Sequence, residues 1–321
     1  MKAEDNDIDW IYLIERIESL IDLGEELLSR RVAEVELDPQ TLVQSIAFVW
    51  IRDGAGGFLR EVTTPDIQPL SDLVGIEDNV ETLRRNTLQF VLGYPANNVL
   101  LWGEKGSGKS ACVKGLPHEF SLRGLRLIEV RQDDLGQLPL ILKTLSALPY
   151  RFILFCDDLS FRVSDSSYQE FKGILDGGIE GLPGNLIIYA TSNRRHLLPE
   201  QLQENSGKTE IHPEEALAEK LSMADRFGLR LPFYAINQET YLQMVSQMLR
   251  RLGIKKRPAS FEVEAREWAR AHGGESGRVA HQFVADLAGR FFWCNRQKKI
   301  AAGRKFSLYM QAFYCIMAKL N

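Results

Sequence analysis

A glycine-rich run in the first half of the chain has the residue types needed to hold a chain of phosphates. It reads GEKGSGKS and fits the spacing G-x-x-x-x-G-K-[ST] in full. Its glycines, Gly103, Gly106 and Gly108, let backbone N–H groups turn toward phosphate oxygens without side-chain obstruction. Lys109 would place a positive charge on those phosphates, and Ser110 would offer a hydroxyl to Mg²⁺. We therefore predict a phosphate-binding loop here.

The flanks of this loop supply the secondary structure that it requires. The apolar run NNVLLW (97–102) before it is typical of a buried strand, and ACVKGLPHEF (111–120) after it can form a helix. The alternative is a glycine-rich turn that happens to precede a lysine, and the strand in front argues against it. The nucleotide-binding residues predicted in this stretch are Gly103, Glu104, Lys105, Gly106, Ser107, Gly108, Lys109, Ser110 and Ala111.

A second apolar run, FILFC at 152–156, ends in two carboxylates, Asp157 and Asp158. Ligands of open α/β sheets bind at the carboxyl ends of the strands, so both carboxylates would lie near the loop. We assign Asp157 together with Ser110 to Mg²⁺, and Asp158 to the general base that orients an attacking water. Paired acids after a strand can also be helix caps or turn formers. The complete phosphate loop favours the chemical role.

Three more polar residues, Asn193, Arg226 and Arg278, are candidates for the same site. The run NLIIYA (185–190) continues into TSN and puts Asn193 at the same sheet edge, where it could position water or be part of an ordinary turn. The segments DRFGLRL (225–231) and SGRVAHQF (276–283) put Arg226 and Arg278, respectively, in a tight context that contains a glycine. A structural, ion-paired arginine is the alternative at both positions.

Length and composition bound the class of protein. A chain of 321 residues suggests two or three domains, and its 45% hydrophobic and 26% charged content is that of a globular protein. The acidic start MKAEDNDIDW has no apolar signal region, and no apolar stretch is long enough for a bilayer. We expect a cytoplasmic protein without a membrane partner. The four cysteines lack C-x-x-C spacing, so we expect buried reduced thiols.

The pattern along the chain predicts three domains. Residues 1–68 are interpreted as a small helical N-terminal module, with helices over 8–31 and Gln40 to Arg52, a glycine breaker at 54–57 and a linker through Pro65 and Pro69. Residues 69–237 alternate apolar strands with helix-length segments, which predicts an α/β nucleotide-binding core. Residues 238–321 carry amphipathic patterns and would form a C-terminal helical domain.

Charge is distributed unevenly. Residues 250–321 hold 15 Lys and Arg against 5 Asp and Glu, whereas the rest of the chain is acidic. A basic C-terminal domain could bind nucleic acid, bind the acidic flank of a neighbouring copy, or present a solvated helix face. The basic stretch Arg250, Arg251, Lys255, Lys256 and Arg257 is interpreted as a surface loop.

The order of these motifs resembles that of an AAA+ ATPase. Over about residues 40–290 the sequence is similar to the bacterial family catalogued as domain of unknown function 815. The segments that carry this similarity include ANNVLLWGEKGSGKS, RFILFCDDLSF and IYATSNRRHL. The resemblance implies an α/β core with five parallel strands in the order 5-1-4-3-2 and a helical lid. It implies Asn193 as sensor 1, Arg226 as a finger reaching into a neighbouring subunit, and Arg278 as sensor 2. Glu is more usual than Asp at position 158 in that pattern.

The same resemblance implies the ligands and the assembly. The stretch from Leu73 to Ile76 matches the one that lines the adenine pocket, which gives Val74, Gly75 and Ile76 as further nucleotide-binding residues. The ligands implied are ATP or ADP and Mg²⁺, and the assembly is a homo-oligomer, a ring such as a hexamer.

Two functional classes remain open. The first is an oligomeric ATPase that drives a conformational change in a macromolecular partner, and the second is a slow-turnover, nucleotide-dependent binding or assembly switch. The segment QDDLGQLPL lacks the aromatic-apolar-glycine trio of peptide-threading unfoldases, which argues against that partner class. A nucleic-acid remodeller or loader is favoured by the basic C-terminal domain and by the likeness of DRFG to branch-migration motors.

Overall fold

The computed structural model describes residues 16–24, 39–54, 56–161, 166–177, 181–193, 223–254 and 260–301. Seven strands occur within this part of the chain: β1 (Ala47–Asp53), β2 (Gly56–Glu61), β3 (Val99–Gly103), β4 (Leu125–Glu129), β5 (Arg151–Cys156), β6 (Leu186–Ser192) and β7 (Leu229–Phe233). The helices are α1 (described over 16–24), α2 (Pro39–Gln44), α3 (Glu77–Val91), α4 (Lys109–Phe120), α5 (Leu138–Ser146), α6 (Ser166–Leu175), α7 (Gln238–Arg251), α8 (Phe261–Ala271) and α9 (Gly277–Ala301).

The strands form a single sheet in the order β2-β1-β4-β5-β6-β3-β7. Neighbouring strands are parallel throughout, except that β1 and β2 pair antiparallel. Numbered from β3, the run β7-β3-β6-β5-β4 has the expected order 5-1-4-3-2 and is parallel, but the described sheet adds β1 and β2, so the expected count of five strands is too low. Continuous apolar runs in the central strands bury side chains on both faces, as a sheet covered by helices on both sides requires. The parallel arrangement brings the carboxyl ends of β3, β5 and β6 to one edge.

The predicted helix from Gln40 to Arg52 is also wrong. A short helix, α2, ends at Gln44, and the chain continues as strand β1 into the β1–β2 hairpin. The sequence AFVWIR is rich in aromatic and β-branched residues, which pack well on a pleated sheet, and both Phe48 and Trp50 are fully buried there. Gly54 of the predicted glycine breaker follows β1, whereas Gly56 and Gly57 begin β2 and pair with Asp53 and Arg52. Because β1 pairs with β4, residues 47–61 are part of the main sheet rather than of a separate helical module.

Other expectations fall partly within the described residues. Of the predicted helix over 8–31, residues 16–24 are helical, and their large apolar side chains Ile17, Leu20, Ile21 and Leu23 are exposed. The segment interpreted as a linker packs closely on α4, because a Cβ atom at Gly115 would lie 2.8 Å from the main-chain oxygen of Gln68. Arg250 and Arg251 belong to the last turn of α7, not to a surface loop, whereas Lys255, Lys256 and Arg257 lie outside the described residues.

Helices α7, α8 and α9 form a three-helix bundle with its own apolar core, which includes Tyr241, Val245, Ala265 and Phe283. Helix α7 begins at Gln238, where the sequence predicts the change from strands to helices. Asn237 caps it, because its side-chain oxygen accepts a hydrogen bond from the Thr240 N–H at 2.8 Å. The bundle is therefore a separate packing unit that follows the sheet.

Two of the four cysteines, Cys112 and Cys156, lie within the described core as free, buried thiols, and burial raises the pKa of each to about 12. This agrees with the expectation of reduced cysteines at these two positions. Among the helices that the structure describes, none has both the length and the apolar character needed to cross a membrane.

The β1–β2 hairpin can be tested by its tryptophan. Trp50 is fully buried, and its Nε1–H donates to Gln137 Oε1 at 2.7 Å. Trp50→Ala should lower the free energy of unfolding by about 3–5 kcal/mol, because it leaves a large cavity in the core. Phe58→Ala, in the same hairpin but 45% exposed, should change it by only about 0.5 kcal/mol. Urea denaturation followed by circular dichroism measures both, and equal effects would contradict this placement of the hairpin.

Candidate functional site

The glycine-rich loop leaves β3 and enters α4 at the carboxyl edge of the sheet. Gly103 has φ 130°, and a Cβ atom there would collide with the carbonyl oxygen of Phe233 at the end of β7. That oxygen accepts a hydrogen bond from the Glu104 N–H at 2.9 Å. Only glycine combines this backbone conformation with so close an approach. The first residue of the loop is therefore fixed by the neighbouring strand, and the strand–loop–helix context predicted from the sequence is present.

Lys109 lies at the start of α4 and is only 6% exposed. Its ammonium donates to the carbonyl oxygens of Gly103 at 2.8 Å and Glu104 at 2.6 Å, and to Asn193 Oδ1 at 3.2 Å. Burial lowers the pKa of Lys109, while the charges of Asp158, Asp157 and Glu104 act in the opposite direction. The cation is therefore buried among acceptors at the base of the loop.

The two aspartates predicted from the sequence follow β5 and reach the loop. Ser110 Oγ donates to Asp157 Oδ1 at 2.6 Å, which joins α4 to the end of β5. Thr191 of β6 donates its hydroxyl to the same carboxylate oxygen at 2.6 Å and accepts the Asp158 N–H at 2.8 Å. Thr191 is almost fully buried, and the sequence analysis did not single it out. The one available signal was its place as a polar residue at the end of an apolar strand.

Asp158 has an unusual backbone conformation. Its φ of 52° is the only positive φ of a non-glycine residue in the described part of the chain. Aspartate is among the residues that tolerate the left-handed region best. Its carboxylate accepts a hydrogen bond from the side-chain amide of Asn193, which also contacts Lys109. Asn193 thus links the cation of the loop to the second carboxylate.

These groups line a cleft of about 620 Å³. The predicted residues that line it are Val74, Ile76, Lys105, Gly106, Ser107, Gly108, Lys109, Ser110, Ala111, Asp157, Asp158, Asn193 and Arg278. Gly75 is adjacent in sequence to the first two, and Gly103 and Glu104 form the base of the loop. Lining residues that sequence reasoning missed include Asp66, Gln68, Met244, Met248 and His281. Asp66 and Gln68 were missed because the segment through Pro65 and Pro69 was interpreted as a linker.

The helical bundle contacts the loop directly. The N–H of Gly277, the first residue of α9, donates to the Gly106 carbonyl oxygen at 2.8 Å. A Cβ atom at Gly106 would lie 2.9 Å from Ser276 Cβ, so this approach requires a glycine in the loop. Arg278, the residue after Gly277, lines the cleft close to Gly106. The bundle therefore closes one side of the candidate site.

Arg226 does not line this cleft. It forms an ion pair through Nε with Asp176, which follows α6. The side chain of Arg226 is 21% exposed, and that of Asp176 is 45% exposed. Within one chain, Arg226 is therefore outside the group of residues that the cleft brings together.

A strand, a GEKGSGKS loop and a helix at the carboxyl edge of a parallel α/β sheet define a protein of the P-loop class. The chain belongs to the family described as "Protein of unknown function (DUF815)", whose sequence model matches residues 43–291. The resemblance stated from the sequence motifs is thereby confirmed. No match to the chain is found among curated proteins.

Solved structures similar to this one include three nucleotide-binding or motor proteins. The FIGL-1 AAA domain in complex with ADP has 20% identity and a TM-score of 0.46, covering 67% of this chain and 71% of that one. AMPPCP-bound DnaA from Aquifex aeolicus has 16% identity and a TM-score of 0.48, covering 71% and 66%. The RuvB Holliday junction branch migration motor of Thermotoga maritima has 15% identity and a TM-score of 0.41, covering 68% and 72%. Likenesses at this level do not transfer a function.

The hydroxyl of Thr191 can be tested by a change that keeps its shape. Thr191→Val removes a donor to Asp157 and an acceptor for the Asp158 N–H. We expect the free energy of unfolding to fall by about 1–3 kcal/mol, because these polar groups lose their partner in a partly buried site. Thr191→Ser keeps the hydroxyl and should retain most of the stability. Urea denaturation distinguishes the two variants, and a Val variant as stable as wild type would show that the hydroxyl does not organise the aspartates.

Proposed function

We propose that this protein is an AAA+ ATPase that binds ATP with Mg²⁺ in the cleft and hydrolyses it within a homo-oligomer. One observation carries the proposal: Lys109, Ser110, Asp157, Asp158 and Asn193, from three different strand ends, meet in a single cleft beside the phosphate loop. A cation, a hydroxyl, two carboxylates and an amide are the groups that phosphoryl transfer to water needs. If these five residues only stabilised turns, there would be no reason for their side chains to meet in one cleft.

Phosphate binding would rest on Lys109 and the loop amides. The ammonium now donates to neutral carbonyl oxygens, and phosphate oxygens are stronger acceptors for it because they are charged. Arg278 faces the same cleft from the bundle and would add a second cation. Val74 and Ile76, with Met244 and Met248 of α7, line the same cleft and provide apolar surface for a base. ATP or ADP is therefore the ligand class that we assign to this cleft.

The residues present also fit Mg²⁺. Ser110 and Asp157 offer oxygen donors that already lie in hydrogen-bond contact at 2.6 Å. No group of three or more His, Cys, Asp or Glu side chains suitable for a metal occurs among the residues that the structure describes. One carboxylate and one hydroxyl suit Mg²⁺, which takes its other ligands from substrate phosphates and water. When bound, the ion would supply charge neutralisation at the phosphates.

Asp158 would accept a proton from water, and Asn193 would orient the carboxylate through its amide N–H. The Asp158 carboxylate lies close enough to the buried Lys109 ammonium for the two charges to attract each other. The arrangement provides a base near the phosphates without needing a histidine. We assign Asp158 and Asn193 as the catalytic pair of one subunit.

An oligomer would complete the site. Arg226 is outside its own cleft, so it could act only on the nucleotide of a neighbouring subunit, where it would stabilise charge that develops on the γ-phosphate. We propose a ring, such as a hexamer, that acts on a macromolecular partner. The basic balance of residues 250–321 supports nucleic acid as that partner.

Asp158→Asn separates binding from hydrolysis. The amide keeps the size and an acceptor oxygen but cannot take a proton, so Mg·ATP should bind within about 3-fold of wild type while turnover falls by about 100-fold or more. Calorimetry and a phosphate-release assay measure the two quantities. Lys109→Ala is the control that should lose ATP binding itself. If Asp158→Asn abolishes binding, Asp158 is a metal ligand or a structural residue, and the assigned roles are wrong.

Calorimetry and the phosphate-release assay on the wild-type protein also decide between the ATPase and the slow-turnover assembly switch. A wild-type protein that binds ATP but turns it over slowly, with or without a partner, would support the assembly switch. The observation that favours this second function is the aspartate in place of the longer glutamate, because its carboxylate reaches less far from the backbone.

The oligomeric site can be tested by mixing two inactive variants. Arg226→Ala should bind ATP normally and hydrolyse it poorly, because a finger acts mainly on the transition state. Mixing it with Lys109→Ala subunits should restore part of the activity, since some interfaces then join an intact loop to an intact arginine. Light scattering verifies that the variants co-assemble. Co-assembled mixtures no more active than either variant alone would make Arg226 a structural residue that pairs with Asp176 in its own subunit.

A further inference from the structure

Two polar residues that the proposed mechanism does not use face each other across the cleft. Gln68 belongs to the irregular segment before α3, and His281 lies on α9, one turn after Arg278. Gln68 Nε2 and His281 Nε2 are 3.1 Å apart, although 213 residues separate them in sequence. Both line the cleft that holds the phosphate loop. The hydrogen bond therefore joins the two sides of the cleft.

The pair is displaced from the phosphate loop along α9. Gly277 of this helix donates its N–H to the Gly106 carbonyl oxygen, and His281 follows Gly277 by four residues, or about 6 Å along the helix at about 1.5 Å per residue. With the phosphates of a nucleotide held by the loop, side chains displaced from it within the same cleft are left to contact the sugar or the base.

The hydrogen bond fixes which atom Gln68 presents. Burial lowers the pKa of His281, and the negative charge of Asp66 only partly offsets this, so the ring is neutral at neutral pH. The Nε2 atom of a neutral ring can accept a hydrogen bond from the Gln68 amide N–H when the ring proton is on Nδ1. This pairing, from which the amide orientation is assigned, commits the Gln68 nitrogen to His281. The Oε1 atom of Gln68 is then left to serve as an acceptor.

We propose that Gln68 selects the nucleoside by accepting a hydrogen bond from it, and that His281 is the positioning residue that holds the Gln68 amide in the required orientation. The inference rests on the proposed function and deepens it. The donor would be the exocyclic amino group of adenine or the 2′-hydroxyl of ribose, both of which present a proton to an oxygen acceptor. A guanine or hypoxanthine carbonyl in place of that amino group would face an acceptor with an acceptor, which is unfavourable.

Four probes distinguish the groups involved: ATP, ITP (which lacks the amino group), dATP (which lacks the 2′-hydroxyl) and inorganic tripolyphosphate. Calorimetric titrations with Mg²⁺ give each affinity. Wild type should bind either ITP or dATP about 3- to 10-fold more weakly than ATP, the range for one lost neutral hydrogen bond. Gln68→Met should weaken ATP binding by a similar factor, leave tripolyphosphate binding unchanged and abolish the discrimination. Gln89→Met, the same change at an exposed position on α3, is the matched control.

The role of His281 has its own test. His281→Leu should reproduce the loss of discrimination, because the Gln68 amide is no longer held in place, whereas His281→Gln keeps an acceptor and should restore it. The double variant Gln68→Met/His281→Leu should bind ATP no more weakly than either single variant, since the two residues act as a unit. Additive losses would show that His281 contacts the nucleotide separately and would overturn its positioning role.

The outcomes separate this inference from the proposed function. It is overturned if Gln68→Met leaves the affinity for ATP unchanged, or if it weakens ATP and tripolyphosphate equally. A wild type that binds neither ATP nor tripolyphosphate would overturn the proposed function as well. Binding of both probes to Lys109→Ala at wild-type strength would do the same. Thermal unfolding of each variant verifies that the chain is folded.

Discussion

The organisation of the cleft depends on a lysine ammonium that is almost fully buried. A buried charge is costly unless acceptors and opposite charges surround it. Lys109 obtains two acceptors from its own loop and a third from Asn193, at the end of β6. The carboxylates of Asp157 and Asp158 add favourable charge after β5. Residues 84 positions apart must therefore be brought within 3.2 Å of each other, and only the fold of the sheet can do this.

The strand order meets this requirement. Strand β6 lies between β5 and β3, so side chains at its carboxyl end can reach both neighbours. Thr191 contacts the aspartates that follow β5, and Asn193 contacts the lysine that follows β3. In a parallel sheet these ends necessarily share one edge. The position of β6 thus converts three separate loops into a single polar network, which the bundle closes through Gly277 and Arg278.

Sequence reasoning succeeded where the signal is local. The loop, the two aspartates and Asn193 follow short apolar runs, and these runs correspond to β3, β5 and β6. It failed at residues 40–52, where pairing with β4 and burial of Trp50 decide for a strand, because neither contact is visible in a short window. Gln68 and His281 were missed for the same reason: their proximity depends on how the bundle packs against the core. Thr191 follows an apolar strand, but the polar residues Ser192 and Asn193 do so as well, so this signal did not distinguish it from them.

The left-handed backbone at Asp158 explains why a short acid suits this position. Every residue except glycine is strained at a φ of 52°. Aspartate and asparagine tolerate this conformation better than residues with longer or branched side chains do. The resemblance makes glutamate more usual here, and its extra methylene would extend the reach of the carboxylate. Glutamate at this φ would gain that reach with a backbone conformation that it tolerates less well than aspartate does. The length of the side chain and the backbone conformation at position 158 therefore depend on each other. A longer acid would need a different turn to keep the backbone unstrained.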